Sequence, residues 1–144
     1  MIFRMYPPAG FKPKFHIVSC FIEDPNGEIL LLLRQDQKPQ GNTWGVPAGK
    51  VGVNENHLVA VVREINEETG YIAPTGPDFF ETVFVCYPEY DFVYHIFHIV
   101  LQERIDVVIN PKEHKMFKWV KPKDALSMPL IGGLDECIKI FYRH

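Results

Sequence analysis

The sequence predicts an α+β fold or an αβα sandwich, formed by one domain over residues 1–144. Three features predict this class: several strand-length runs rich in apolar residues, one helical pattern in mid-chain, and a second helical pattern at the end. With 144 residues, of which 47% are hydrophobic, the chain can bury a substantial core.

The first predicted element is a β-hairpin. Residues 15–23 and 28–33 are apolar β-type runs, and Asp24-Pro25-Asn26-Gly27 between them are typical turn residues. After the central helix we expect a second strand pair, residues 81–87 and 92–102, joined by a turn at 88–91. A short strand over 117–120 and a closing helix over 134–142 complete the order.

The central helix is predicted to begin after Asn56, its N-cap, and to end at Thr69, with Gly70 as the C-cap. At about 100° per residue, one face is mostly apolar. Its members are Leu58, Val61, Val62, Ile65 and Thr69. On this interpretation three carboxylates face outward on the opposite side: Glu64, Glu67 and Glu68.

These carboxylates are locally unfavourable. Glu64 and Glu68 are like charges at i and i+4, which costs about 0.2 to 0.5 kcal/mol, and Glu67 and Glu68 lie where the helix dipole disfavours anions. Such violations are expected at functional sites, and clustered carboxylates suit hard divalent cations such as Mg²⁺. Taken alone, the three glutamates are equally compatible with a solvated acidic face.

A longer pattern surrounds the carboxylates and matches the signature G-x5-E-x7-R-E-U-x-E-E-x-G-U, where U is a bulky aliphatic residue. The matching residues are Gly49, Glu55, Arg63, Glu64, Ile65, Glu67, Glu68 and Gly70. An accidental match at a given position has a chance on the order of 10⁻⁸. In this pattern the chain resembles the Nudix hydrolase family. Tyr71 departs from the final U, and residues 43–50 and 113–120 also resemble the family's flanks.

The resemblance implies an αβα sandwich with a mixed sheet and metal-assisted hydrolysis of a phosphoanhydride. It implies Mg²⁺, or alternatively Mn²⁺, held by Glu64, Glu67 and Glu68 with the backbone carbonyl of Gly49 as a further ligand. One glutamate would also act as the base. The family assigns this role variously, and we favour Glu64.

Five other charged residues are candidates for the site. Arg63 precedes Glu64 by one residue, so we expect it about a quarter turn from the metal-binding face, where it can pair with Glu55 and orient the loop. A solvated arginine is the alternative. Glu113 lies in a predicted loop where related enzymes often place an extra acidic ligand or base, and a solvated glutamate is equally compatible with that position.

Arg34 and Lys50 are candidate phosphate contacts, or else ordinary cations at a strand end and in a loop. Aromatic residues on the second strand pair could stack on a base or belong to the core. They are Phe84, Tyr87, Tyr94 and Phe97. His95 and His98 lie on opposite faces of one predicted strand, so they cannot form a ligand pair.

Charge, cysteine count and hydropathy narrow the class of partner. A formal net charge of -3 offers no general attraction for a nucleic acid polymer, which favours a small nucleotide substrate. Three widely spaced cysteines argue against a disulfide framework or zinc cluster and are predicted to be core thiols. No apolar run approaches a membrane span and the N-terminus lacks a signal-peptide layout. We therefore expect a cytoplasmic location. The oligomeric state, monomer or homodimer, does not follow from these features.

Within the family, the short chain most resembles small nucleoside triphosphate pyrophosphohydrolases, including those that remove damaged nucleotides. Tyr87 and Pro88 occupy a zone used to suggest ADP-ribose or dinucleoside polyphosphate preference, but they are also ordinary turn residues. Hydrolysis of ADP-ribose or a dinucleoside polyphosphate is therefore the second hypothesis. A non-catalytic nucleotide-binding module is the third, although the signature keeps every carboxylate.

Overall fold

The computed structural model describes residues 1–143 and contains eight strands and three helices. The strands are β1 (Ile2–Phe3), β2 (Pro13–Glu23), β3 (Ile29–Arg34), β4 (Trp44–Gly45), β5 (Ala48–Lys50), β6 (Asp78–Cys86), β7 (Asp91–Val100) and β8 (His114–Val120). The helices are α1 (His57–Thr69), α2 (Pro122–Ala125) and α3 (Leu134–Tyr142).

The strands form one mixed sheet in the order β1-β6-β7-β2-β3-β4, with β5 paired to β2 and β8 paired to β3. Strands β2 and β7 are parallel, and the other strand pairs are antiparallel. The predicted first hairpin is present, since Gly27 N–H donates to the Asp24 carbonyl and Glu23 pairs with Ile29. Beyond that pair β3 diverges, and β5 pairs with β2 instead, beside Ile17 to Ser19.

Successive residues of β2 point to opposite faces of the sheet and supply two separate cores. Val18, Cys20 and Ile22 pack with α1, while Phe21 packs with α3. The sheet is thus covered by helices on both sides, and the predicted αβα sandwich with a mixed sheet is confirmed.

Helix α1 has the predicted caps. The Asn56 side chain accepts hydrogen bonds from the backbone of Leu58 and Val59. At the other end, Gly70 adopts the left-handed conformation with φ of 78°, and its N–H donates to the Asn66 carbonyl. Left-handed backbone at a C-cap favours glycine, which explains why the helix ends there.

The predicted division of the helix faces was partly wrong. Glu68 is 6% exposed and packs on the sheet side, whereas Leu58 is 44% exposed. Glu68 follows Val61 by seven residues, which returns it to within about 20° of the buried Val61. The carboxylates therefore do not all face outward, and Ala60 takes the buried place expected for Leu58.

Other predicted elements hold with shifted ends. Helix α3 has the predicted bounds, while β6 and β8 begin three residues earlier than expected. Strands β1, β4 and β5 and helix α2 were not predicted, because two to four residues are too few to show a period. The cysteines are free, with Cys20 and Cys137 buried as predicted and Cys86 partly buried. Within residues 1–143, none of the helices has the length and apolar character of a membrane span.

Candidate active site

A cleft of about 660 Å³ lies between α1, the sheet and the loops at one end of β3 and β7. Seven residues predicted for the site line it. They are Arg34, Gly49, Lys50, Glu64, Glu67, Glu68 and Glu113. The other two, Glu55 and Arg63, do not line the cleft and contact its carboxylates or its loop from the side.

Gly49 lies against the carboxylate of Glu64. The pairing of β5 with β2 places Gly49 opposite Val18, and a Cβ atom built on Gly49 would lie 2.1 Å from Glu64 Cδ. No real Cβ makes such a contact, so any side chain here would displace the carboxylate. Because Gly49 has no side chain, the backbone of β5 can lie in contact with the Glu64 carboxylate of α1.

Glu64 and Glu68 form a carboxylate pair inside the cleft. Burial, the hydrogen bond with Glu64 and the charge of Glu64 raise the pKa of Glu68 well above its usual range. The charge of Glu113 acts in the same direction, and a hydrogen bond with the Ala48 backbone opposes them. The cost of this concentrated negative charge would be relieved by a cation.

These residues fit a hard divalent cation, since they offer several carboxylate oxygens beside the Gly49 backbone. Glu67 lies at the rim, with a side chain 52% exposed, so it contributes charge without being buried. The donor set is oxygen-rich, which suits Mg²⁺ or Mn²⁺ better than softer metals.

Arg63 connects the carboxylates to the loop that precedes α1. It donates to both oxygens of Glu55 at 2.8 and 2.9 Å and to the Lys50 carbonyl at 3.1 Å. It also donates to Glu64 Oε1 at 2.7 Å and to Glu67 at 3.3 Å. The Glu55 pair and the position of Arg63 outside the cleft agree with the sequence prediction. The long side chain also reaches Glu64 and Glu67, and the sequence did not predict these two contacts.

Glu55, the partner of Arg63, is itself held in place by the loop before α1. Glu55 Oε1 accepts a hydrogen bond from Gly52 N–H at 2.7 Å. Hydrogen bonds from Arg63 and then from Gly52 lower the pKa of Glu55 to about 2, so this carboxylate is ionised at neutral pH. The hydrogen bond with Glu55, and after it the contacts with Glu64 and Glu67, raise the pKa of Arg63 further above its usual range.

The other predicted cations flank the carboxylates. Arg34 Nε donates to the Pro39 carbonyl at 2.8 Å, and its terminal nitrogens have no hydrogen-bond partner among the described residues. Lys50 is exposed, and its Nζ lies 4.5 Å from the centre of the Phe15 ring. Glu113 forms an ion pair with Lys38 at 3.1 Å, a partner that sequence reasoning had not singled out.

His114 is a cleft residue that sequence reasoning missed. It is buried, and its Nε2 lies 3.9 Å from Glu68 Oε1, too far for a hydrogen bond. Burial, followed by the charge of Arg34, lowers the pKa of His114 to about 4, so it is neutral at pH 7. Its approach to Glu68 depends on the pairing of β8 with β3, for which the sequence carries no local signal.

Aromatic side chains form the opposite wall. Tyr87, Tyr90 and Phe92 pack with Phe15, with ring centroids 5.0 Å apart for Tyr87 and Phe92 and 5.2 Å apart for Phe15 and Tyr90. Of the four predicted stacking candidates, Tyr87 and Tyr94 line the cleft. Phe84 and Phe97 do not: they pack against Phe11 and in the core beneath α1.

Comparisons with known proteins agree on one family. A family model described as the NUDIX domain matches residues 13–140. A CTP pyrophosphohydrolase from Escherichia coli (strain K12) is 31% identical over 116 residues, which is 79% of this chain and 81% of that protein. An 8-oxo-dGTP diphosphatase from Proteus vulgaris is 34% identical over 59 residues, 41% of this chain and 53% of that protein. The crystal structure of MutT protein from Methanosarcina mazei Go1 matches with a TM-score of 0.81 and 29% identity, over 92% of this chain and 95% of that chain.

Proposed function

The chain belongs to the Nudix family of phosphoanhydride hydrolases, and from this premise we propose that it is a Mg²⁺-dependent pyrophosphohydrolase of small nucleoside triphosphates. The observation that carries the proposal is the pair of Glu64 and Glu68 beside Gly49, in a cleft that also holds the Arg34 and Lys50 side chains and an aromatic wall. The carboxylates suit a metal ion, the cationic side chains suit a polyphosphate, and the aromatic wall suits a nucleobase.

Nudix enzymes generally use a divalent metal. In this chain Glu64, Glu67, Glu68 and the Gly49 carbonyl would hold it, with Mg²⁺ as our first choice and Mn²⁺ as the alternative. When bound, the cation would neutralise charge on phosphate oxygens and acidify water. Glu64 is our choice for the proton acceptor, because the hydrogen bond from Arg63 at 2.7 Å fixes one of its oxygens.

The Arg63 and Glu55 contact has a positioning role in this proposal. It ties Lys50 and Gly52 in the loop to the carboxylates of α1, so Gly49 and Glu64 keep their separation. Glu113 is the alternative base or an additional ligand, and its ion pair with Lys38 holds it at the cleft.

The substrate would lie between the cations and the aromatic wall. Arg34 and Lys50 would contact the phosphates, and Tyr87 with its ring neighbours would contact the base. The CTP pyrophosphohydrolase and 8-oxo-dGTP diphosphatase relatives support a nucleoside triphosphate. ADP-ribose or a dinucleoside polyphosphate is the second hypothesis, on the Tyr87 and Pro88 pattern alone.

A substrate panel tests this proposal. Purified protein with Mg²⁺ would be given the common and oxidised nucleoside triphosphates, ADP-ribose and a dinucleoside tetraphosphate, with added inorganic pyrophosphatase or phosphatase to report the products. We expect the highest kcat/KM on a nucleoside triphosphate. Preference for ADP-ribose or the dinucleotide would replace the first hypothesis with the second, and binding without turnover would favour the non-catalytic module.

A further inference from the structure

Three histidines from three elements meet on the α1 side of the sheet, away from the carboxylates. They are His16 on β2, His57 at the start of α1 and His95 on β7. One ring nitrogen from each lies within 4.8 Å of the other two. His57 precedes Glu64 by seven residues, a distance of about 10 Å along the helix axis, so this cluster is separate from the active-site carboxylates.

The strand register explains how the cluster forms. In the parallel pair of β2 and β7, His95 lies beside Val18 and His16 beside Val93, so both histidines face the same side of the sheet. His16 Nδ1 and His95 Nε2 are 2.9 Å apart, with ring planes only 8° from parallel. The His57 ring lies over His95 with centroids 3.9 Å apart.

Thr82 fixes the orientation of the buried member. Thr82 is opposite His95 in the antiparallel pair of β6 and β7, and its Oγ1 lies 2.8 Å from His95 Nδ1. When Nδ1 donates its proton to this hydroxyl, Nε2 presents a lone pair toward His16. Metal-binding histidines in proteins are commonly oriented by such a hydrogen bond at the other ring nitrogen.

The cluster is also suited to stay neutral. Burial, followed by the charges of His57 and His16, lowers the pKa of His95 to about 4, and burial lowers the pKa of His16. Neutral imidazole is the form that binds metals, so a cation would not have to displace a proton from His95 at neutral pH.

We propose that His16, His57 and His95 form a second metal site, specific for Zn²⁺ or a similar transition metal and distinct from the carboxylate site. Three imidazoles suit zinc, copper and nickel, whereas Mg²⁺ prefers oxygen ligands. In a tetrahedral zinc centre with bonds of about 2.0 to 2.1 Å, ligand nitrogens lie about 3.4 Å apart. The His16 Nδ1 and His95 Nε2 atoms are 2.9 Å apart, all three ligand atoms lie within 4.8 Å of one another, and the exposed His16 and His57 rings can rotate to adjust these separations.

The fourth position would face a groove lined by His57, Asp78, Thr82 and His95. A water or small ligand can therefore complete the coordination. A bound metal would join the first turn of α1 to β2 and β7, elements far apart in sequence. Because the metal binds the folded chain only, it should raise the thermal midpoint.

Zinc titration by calorimetry tests the proposal. The Glu64→Gln/Glu68→Gln background removes binding by the active-site carboxylates, and Mg²⁺ in the buffer suppresses weak oxygen sites. We expect one zinc per chain in this background, and loss of that binding in His16→Ala/His57→Ala, whose altered side chains are exposed. His57→Ala alone provides a second variant. His98→Gln, on the other face of β7, is the matched control and should bind zinc normally.

Two further readouts do not depend on activity. Cobalt in place of zinc should give the intense visible bands of a tetrahedral site, and these should vanish with the histidine variants. Thr82→Val should weaken zinc binding by about 10- to 100-fold, since it removes the orienting hydroxyl. Two results would overturn the proposal. One is absence of zinc binding by the Glu64→Gln/Glu68→Gln protein, and the other is equal zinc binding when His16→Ala/His57→Ala is added to that background.

Discussion

Glu68 bears the largest local electrostatic cost in the cleft, because a buried carboxylate there adjoins a second carboxylate. This arrangement is unfavourable in the metal-free protein, and a bound cation would relieve the cost, as the proposed metal site requires. Glu68→Gln separates the two effects, since glutamine keeps the shape of the side chain and removes its charge.

Turnover should depend on that charge. Glu68→Gln is expected to lower kcat/KM by more than about 100-fold, the upper range for residues that only orient a metal ligand, while the protein remains folded. Steady-state assays with Mg²⁺ provide the measurement. Glu103→Gln makes the same chemical change at an exposed position outside the cleft and should leave activity intact. Near-normal turnover in folded Glu68→Gln protein would remove Glu68 from the metal site.

The Glu68→Gln change should lower activity without lowering the stability of the metal-free protein. In a chelator at neutral pH, Glu68→Gln relieves repulsion with Glu64 and the unfavourable helix-dipole interaction, together worth a few tenths to about 1 kcal/mol. The thermal midpoint of the variant should equal or exceed that of the parent. A clear decrease, with Glu103→Gln unchanged, would show that the Glu68 charge has a stabilising partner in the native protein.

The residues of the two sites differ in how far the sequence alone could predict them. The spacing from Gly49 to Gly70 identified the carboxylates, because the signature is local and covers only β5, the loop after it and α1 with its C-cap. His114 was not predicted, because it lies on β8 and its neighbour Glu68 lies on α1. The His16, His57 and His95 cluster was missed for the same reason: three isolated histidines in the sequence carry no common spacing.

At the scale of elements, the contact between Arg63 and Glu55 joins the loop to α1. Arg63→Ala and Glu55→Gln each break this contact, and each should lower kcat/KM by about 10- to 100-fold, with the arginine change larger because Arg63 also contacts Glu64. The double variant should be little worse than Arg63→Ala, since non-additivity marks a shared interaction.

Steady-state kinetics of the two single variants and the double variant measure this coupling. Arg63→Lys is an informative control, because it keeps the charge without the two-pronged hydrogen bonding and should rescue little. Additive losses in log kcat/KM, with Arg63→Ala acting mainly on KM, would instead place Arg63 at the substrate.

The turn between β2 and β3 gives a prediction about pH. Asp24 Oδ1 accepts from the Asn26 and Glu28 amides at 2.9 Å, and Oδ2 accepts from Arg104 Nε at 2.8 Å. Burial alone would raise the pKa of Asp24, but the hydrogen bonds with Arg104 and the two amides outweigh it and lower the pKa. The ionised carboxylate therefore stabilises the fold above the ordinary aspartate pKa of about 3.9, and this contribution disappears as pH falls through the lowered value.

Asp24→Asn should cost about 1 to 3 kcal/mol at pH 7, because a hydrogen bond with a charged group is lost. The difference from the parent should shrink as the pH is lowered below about 3.9. Urea unfolding at several pH values measures both. Asp106→Asn, at an exposed position, serves as the control. A cost that is independent of pH would show that charge is not the source of the stabilisation.

The elements themselves were predictable to different degrees. The capped helix α1 and helix α3 have clear periods and end signals, whereas β4 and β5 are strands only because neighbouring strands supply hydrogen bonds to them. The assignment of Glu68 to the outer face failed even for a well-predicted helix. On a helical wheel Glu68 lies next to the buried Val61, so helix geometry alone places it on the buried side.

For the whole molecule, the sandwich explains why the site lies where it does. Strand β2 pairs with β5 and packs on α1, which brings Gly49 to Glu64. The turn after β6 supplies Tyr87 and Tyr90 to the aromatic wall, and β2 and β7 supply Phe15 and Phe92. The predicted helices and strands were compatible with an α+β fold or an αβα sandwich, and the family resemblance implied the sandwich. The parallel pairing of β2 and β7 has no local signal in the sequence. The shape of the cleft therefore depends on the topology of the sheet, whereas its carboxylates Glu64, Glu67 and Glu68 were predicted from the signature.

The most direct test of the account is product analysis on the best nucleoside triphosphate, with Mg²⁺ and with a chelator. Chromatography resolves the nucleotide products, and a pyrophosphate assay measures the other fragment. We predict equal amounts of nucleoside monophosphate and pyrophosphate with Mg²⁺, and no turnover in the chelator. Release of nucleoside diphosphate and phosphate, or equal turnover without a divalent metal, would contradict it.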